Sequence, residues 1–290
     1  MNKKIHLVLS GGGARGIAHI GVIEVLEEKG YKIQSISGTS MGALVGGVYA
    51  AHALDDFKQW LIEADIKEAV KMLDFSLKLP GLIKGDKIMK KIDGMLQIKQ
   101  IEKLPLPYTA VSTNLTTDEI VYFQQGNLLE AMRASIAIPT IFTPVIKNRQ
   151  ILVDGGLINN IPVNIAKKQD DYPIVAVCVN ADVPVTEKLK AIMTSKKEQE
   201  NEYLIKLEKI KSHISQKLSY KKEKDKDMPG YSEILDQTIH LMIAQISNQI
   251  IRTYPPDILI EIPRKIAGTF DFLKARELVE IGQTIAREKL

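Results

Sequence analysis

The short stretch Ile5 to Leu9, apolar but for His6, ends one residue before three glycines, a pattern that predicts a short buried strand. After Gly11-Gly12-Gly13-Ala14-Arg15-Gly16, the residues Ile17, Ile20, Val22, Ile23, Val25 and Leu26 recur at helical spacing. That helix is expected to end at Lys29-Gly30, a cationic last turn with a glycine stop. A second strand, predicted at Ile33 to Ser37, leads into Gly38-Thr39-Ser40-Met41-Gly42 and a helix of small residues reaching about His52. Strand, tight turn and helix in alternation predict an α/β fold with a parallel sheet and helices on its faces.

The stretch from about 54 to 104 reads as mostly helical, broken at Pro80-Gly81 and Lys84-Gly85. Further strands are predicted at Tyr108 to Ser112, Glu119 to Phe123, Gln150 to Val153, Ile174 to Val179 and Ile258 to Ile262. A helix from Leu128 to about Ala137 should end against Pro139, because the residue before proline is pushed out of helical space. No internal repeat is present.

Length and composition bound the reading. A chain of 290 residues with 45% hydrophobic and 26% charged residues can bury a sizeable core and is not a disordered polymer. The net charge of +4 does not point to nucleic acid, whereas a pI near 8.8 suits contact with an anionic membrane surface as well as a mildly basic soluble protein. Cys178, the single cysteine, excludes an intramolecular disulfide and reads as a small buried hydrophobe. The basic start Met1-Asn2-Lys3-Lys4 is followed by too short an apolar run for a signal peptide, and no run is long enough to span a bilayer, so a cytoplasmic location is expected.

One stretch differs from the rest. Between Val185 and Met228 twelve lysines stand against eight acidic residues, so this segment carries a charge equal to the whole chain's +4. Leu204, Leu207, Ile210, Ile214 and Leu218 make a helical stripe in it, and Lys221 to Asp227 is charge-dense enough to read as a mobile loop. A solvated helical hairpin, a peripheral membrane contact and a dimer contact are all open to it. The domain is expected to be single over 1–290, with a core of about 5–183 and 229–290 and this stretch, 185–228, inserted.

Gly38-x-Ser40-x-Gly42 between a strand and a helix is the strongest chemical signal. It places a serine hydroxyl on a sharp turn where flanking side chains would clash, with a helix N-terminus aimed at developing negative charge. The loop at 11–16 formally matches a dinucleotide fingerprint, but the second strand ends in Ser37-Gly38-Thr39-Ser40 without the carboxylate that would hold a ribose. Backbone N–H groups of Gly11, Gly12, Gly13 and the loop through Arg15 and Gly16 are better read as an oxyanion hole. Arg15 would orient that loop, meet an anionic head group, or simply be solvated.

A serine nucleophile needs a base. None of His6, His19, His52, His213 and His240 falls on a strand-end loop, whereas Asp154, followed by Gly155 and Gly156, ends a predicted strand. The three motifs in this order, with Ala134-Ser135-x-Ala137-Ile138-Pro139 and Asn159-Asn160-x-Pro162, resemble the patatin-like phospholipase family over roughly residues 5–180. The resemblance implies a three-layer α/β/α sandwich with a mainly parallel central sheet. It also implies a Ser40–Asp154 dyad acting without histidine, metal or cofactor, and fatty-acid esters as substrates. The acyl chain is then expected against apolar residues of the 54–104 helices and of Ile136 to Phe142. Two rival classes stay open: a non-catalytic regulatory or binding protein with this fold, and a nucleotide-binding α/β protein. Thioesterase and carboxylesterase activity are chemically equivalent at this level.

Overall fold

The computed structural model describes residues 3–76, 82–166, 172–194 and 231–290. Five parallel strands form the centre of the sheet, in the order β3 (Tyr108–Asn114), β2 (Tyr31–Thr39), β1 (Lys3–Leu9), β7 (Ile174–Ala181) and β8 (Ile258–Pro263). Three antiparallel strands, β4 (Glu119–Phe123), β5 (Val145–Lys147) and β6 (Gln150–Asp154), complete it beyond β3.

Unbroken apolar runs are what a strand needs when both faces of its sheet are covered. In β1, Leu7 and Leu9 enter one core cluster and Val8 the other. In β7, Val175, Val177 and Val179 point one way, and Ile174, Ala176 and Cys178 the other. The larger core holds α1 (Ala18–Glu28), α2 (Met41–Ala50) and α10 (Ala275–Lys289). The smaller takes α7 (Val163–Ala166) and the long helix α9 (Tyr231–Thr253), through Ile250 and Ile251. Helices thus cover both faces of a mainly parallel sheet, as expected. Cys178 is buried, and burial pushes its thiol up to about 11.

The 54–104 region contains α3 (Leu54–Glu63), α4 (Ile66–Met72) and α5 (Asp86–Asp93), and Lys84-Gly85 breaks it as expected. Helix α6 (Leu128–Ser135) stops two residues before the expected end, and α8 (Glu187–Thr194) opens the lysine-rich stretch. Pro80-Gly81, His213, the Leu204–Leu218 stripe, the loop 221–227 and the rest of that stretch from 195 lie outside the described residues. Among the described residues no helix is long and apolar enough to cross a membrane.

The register around β3 brings the ends of β2 and β6 together. Ile36, Ser37, Gly38 and Thr39 of β2 pair with Tyr108 to Val111. The next β3 residue, Ser112, pairs with Asp154 of β6. Since β4 already occupies the other edge of Ala110 to Asn114, β2 and β6 share one edge and meet end to end there. The last residues of the two strands, one approaching from each side, are brought to the same point.

Helices α1 and α10 touch backbone to backbone. A Cβ on Gly21 would lie 2.0 Å from the Val279 carbonyl oxygen, and one on Gly282 would lie 2.1 Å from that of Ala18. Helix propensity alone would reward Gly21→Ala by up to about 1 kcal/mol. The clash should outweigh it, and we expect a net loss of about 1–3 kcal/mol, read as a lower urea midpoint. An unchanged or higher midpoint would show that the two helices separate at no cost.

Candidate active site

Ser40 caps α2 with φ 54° and ψ −126°, a strained backbone for a residue with a side chain. Neighbours fix it there. The Ser40 N–H donates to Ser135 Oγ at 2.8 Å, and the same hydroxyl donates to the Val111 carbonyl at 2.5 Å. Thr39 Oγ1 donates to the Asn159 carbonyl at 2.8 Å. Gly42 is required by close approach, because its Cβ would fall 2.3 Å from the Leu9 carbonyl oxygen; Gly38 packs as tightly on Gly42 and Ala43.

Asp154 arrives at the end of β6, its N–H bonded to the Ala137 carbonyl at 3.0 Å. One carboxylate oxygen, Oδ1, accepts from the Gly156 N–H at 2.7 Å. The other, Oδ2, is buried and makes no hydrogen bond among the described residues. Burial pushes the carboxyl up to about 7, opposed by the Ser40 hydroxyl and the Gly156 N–H. The Ser40 hydroxyl thus bears on the carboxyl electrostatically without closing a hydrogen bond of normal geometry. Gly155 lies flat on the Val111 carbonyl, and Gly156 faces the Asn160 side chain.

The glycine loop lies beside Ser40, and its N–H groups divide into two kinds. Gly11 N–H is bonded to the Asn160 carbonyl at 3.0 Å, so it is not open to the cleft. That corrects the expectation that all three glycines offer donors. Gly12 and Gly13 line the cleft, and their N–H groups have no partner among the described residues. Gly13 has φ +57° and sits 2.6 Å, measured from its missing Cβ, from the Thr269 carbonyl oxygen. Gly16 packs against Met41 just behind. Arg15 is neither a solvated loop residue nor open for a head group. It is buried, donating from Nε and Nη2 to Asn180 Oδ1 at 3.1 and 2.9 Å and from Nη1 to the Ala267 carbonyl at 2.9 Å. Asn180 Nδ2 in turn donates to the Gly11 carbonyl at 2.6 Å.

Among the described residues no histidine side chain reaches Ser40 or Asp154. Buried His19 donates from Nε2 to the Ser10 carbonyl at 2.8 Å, and burial lowers its pKa to about 4, so it stays neutral. His6 bonds Ser35 within the sheet. Among the described residues no three His, Cys, Asp or Glu side chains cluster to hold a metal ion.

The cleft over Ser40 and Asp154 is walled by Ile138 to Ile141, Leu157 and Thr269, and by Ile239 and Ile243 of α9. The loop after α6 was expected there, but the 54–104 helices were not found in this wall. Their Asp86 and Met89 line a separate cavity of about 370 Å³ around Arg133 and Val145 that includes neither Ser40 nor Asp154. Ser135, Asn180 and α9 are the parts that reading the chain did not assign. The Ala134-Ser135 motif was the only signal for the first of them.

A family model described as patatin-like phospholipase matches residues 7–167. A Mycobacterium bovis protein named as an uncharacterized NTE family protein is 30% identical over 99% of this chain and 91% of its own. The Mus musculus patatin-like phospholipase domain-containing protein 6 is 34% identical over 61% of this chain, which is 14% of its own length. Among solved structures, VipD from Legionella pneumophila aligns with 99% of this chain and 67% of its own at 16% identity and a TM-score of 0.47.

The raised carboxyl fixes a stability trend. The folded state holds the Asp154 proton up to about pH 7, while the unfolded chain releases it near 3.8. Stability from this group is therefore complete below about 3.8 and is lost as pH rises through about 7. Asp154→Asn should melt higher than wild type at pH 8, with the gap narrowing towards pH 4. A gap that widens on acidification would contradict the assignment of the buried charge.

Proposed function

Since the chain belongs to the patatin-like phospholipase family, we propose that it hydrolyses carboxylic esters of lipids through Ser40 and Asp154. The observation that carries this reading is the end-to-end meeting of β2 and β6. It brings a strained serine and a partly neutralised, unpartnered carboxylate oxygen to one point of a narrow cleft.

Ionised Asp154 takes the Ser40 hydroxyl proton as Oγ attacks the ester carbonyl carbon. The Gly12 and Gly13 N–H groups, with the N-terminus of α2, receive the charge that builds on the carbonyl oxygen. When the tetrahedral intermediate collapses, the alcohol leaves with the proton held by Asp154, and the acyl group stays on Ser40. Asp154 then draws a proton from water, hydroxide adds to the acyl carbon, and the fatty acid departs as Ser40 recovers its proton. A carboxylate at its ordinary pKa near 3.9 is a weak base for this work, and burial up to about 7 strengthens it. Ser135 would act through position alone, by holding the Ser40 N–H.

Two results test the reading. A fluorophosphonate probe should modify Ser40 in the wild type and fail on Ser40→Ala, which should lose roughly 10³-fold or more of ester turnover. The rate on a soluble short-chain ester should climb as pH rises through about 7 and then level, because only ionised Asp154 is a base. A folded wild type that takes no probe sinks the catalytic reading and leaves a binding or regulatory protein.

A further inference from the structure

The cleft over Ser40 has a volume of about 60 Å³, against the roughly 300 Å³ or more of a site that accepts a lipid-sized ligand. Part of its wall therefore has to move before an acyl chain can enter. The loop Ile138 to Ile141 is tied down, since Asp154 N–H bonds the Ala137 carbonyl and Ile83 N–H bonds the Ile141 carbonyl at 2.8 Å. Helix α9 contributes Ile239 and Ile243 to the cleft, and among the described residues it is joined to the loop beside Asp154 by a hydrogen bond from Asn160 Nδ2 to Ser247 Oγ at 3.1 Å.

The outer side of this helix is unusual. Ile234 and Leu241, seven residues apart on one stripe, are 45% and 57% exposed, and Met242 beside them is 57% exposed. From Gln237 to Ile251 the sequence contains no Asp, Glu, Lys or Arg, although a helix side facing water ordinarily carries charges. The outer side carries no charge from 237 to 251 and exposes Ile234, Leu241 and Met242 among Gln237, Thr238, Gln245, Asn248 and Gln249. On the element that walls a lipid-ester cleft, such a side fits an amphipathic partner without net charge. We infer that α9 is the surface by which the protein docks on a zwitterionic lipid interface, and that its displacement there opens the cleft over Ser40. This inference rests on the lipid-ester reading for its substrate, and it locates the membrane contact on α9 instead of on the lysine-rich stretch.

The test uses the whole chain, wild type and Leu241→Gln/Met242→Gln, with phosphatidylcholine vesicles. Both residues lie on the exposed side, so the variant should keep its fold and its hydrolysis of a soluble short-chain ester. Sedimentation with vesicles should show about tenfold weaker binding of the variant, with a matching loss of hydrolysis of vesicle lipid. Wild-type binding should survive about 1 M salt, where the Debye length is only about 3 Å. Equal vesicle binding by variant and wild type would overturn the inference, as would binding abolished by salt, which would place the contact on lysines. A wild-type dimer that the variant converts to monomer would overturn it too, by assigning the face to a second copy. Vesicle binding does not depend on turnover, so the two readings fail separately. Loss of all esterase activity with intact, variant-sensitive binding counts against the catalytic proposal alone.

Discussion

Two strands ending head-on along one edge of a third is the constraint from which the rest of this molecule follows. β3 is buried along its whole length, and it pairs first with β2 and then with β6 on the same side. The hydrogen-bond ladder of a sheet fixes position to a fraction of an ångström, so the juxtaposition of Ser40 and Asp154 is inherited from backbone pairing. Side chains then add the fine adjustment. Ser135 bridges the Ser40 N–H and the Val111 carbonyl, and Ser112 Oγ donates to the Val153 carbonyl at 2.6 Å on the other side of the junction. A strained φ persists at Ser40 because these bonds over-determine it.

The same junction explains what could be read from the chain and what could not. β1 and β7 were legible because a strand covered on both faces is written as a mostly apolar run, and β2 because it leads into the turn at Ser40 that Gly38 and Gly42 flank. Asp154 was legible because it closes such a run. β5 was not, since it has three residues and its Ile146 is 72% exposed, leaving no alternation to detect. Ser135 stood in plain view, yet no local pattern says that its hydroxyl serves a backbone group on another element. Gly11 looked equivalent to its two neighbours, and only the approach of the Asn160 carbonyl separates it from them. Arg15 stayed open between orienting the loop, meeting a head group and facing solvent for a related reason, since the acceptors that favour the first come from residues 180 and 267.

Burying Arg15 has a clear physical use. A loop of glycines has many accessible conformations, and holding two N–H groups in place by backbone preference alone would cost much of the order of 1–2 kcal/mol per residue. The guanidinium bonds both Asn180 and the Ala267 carbonyl, Asn180 reaches back to the Gly11 carbonyl, and Ala14 N–H bonds the Thr269 carbonyl at 2.9 Å. The loop's shape is imposed from outside. That is why glycine, which could not hold the shape unaided, can be used at the points of closest approach.

The packing of α10 on α1 carries a temporal consequence. Gly282 sits on the Ala18 carbonyl, and Gln283 and Arg287 bond Glu24 and Glu28 across some of the longest sequence separations in the protein. Contacts this distant form late, because loop closure must be completed before they contribute. Residues 267 and 269 reach the glycine loop over a similar separation. A chain emerging from the ribosome can therefore assemble β1, β2 and the serine turn long before it can shape the loop beside them. During synthesis the turn at Ser40 stands without its finished neighbour, which takes its shape only when a segment 252 residues further along closes on Arg15.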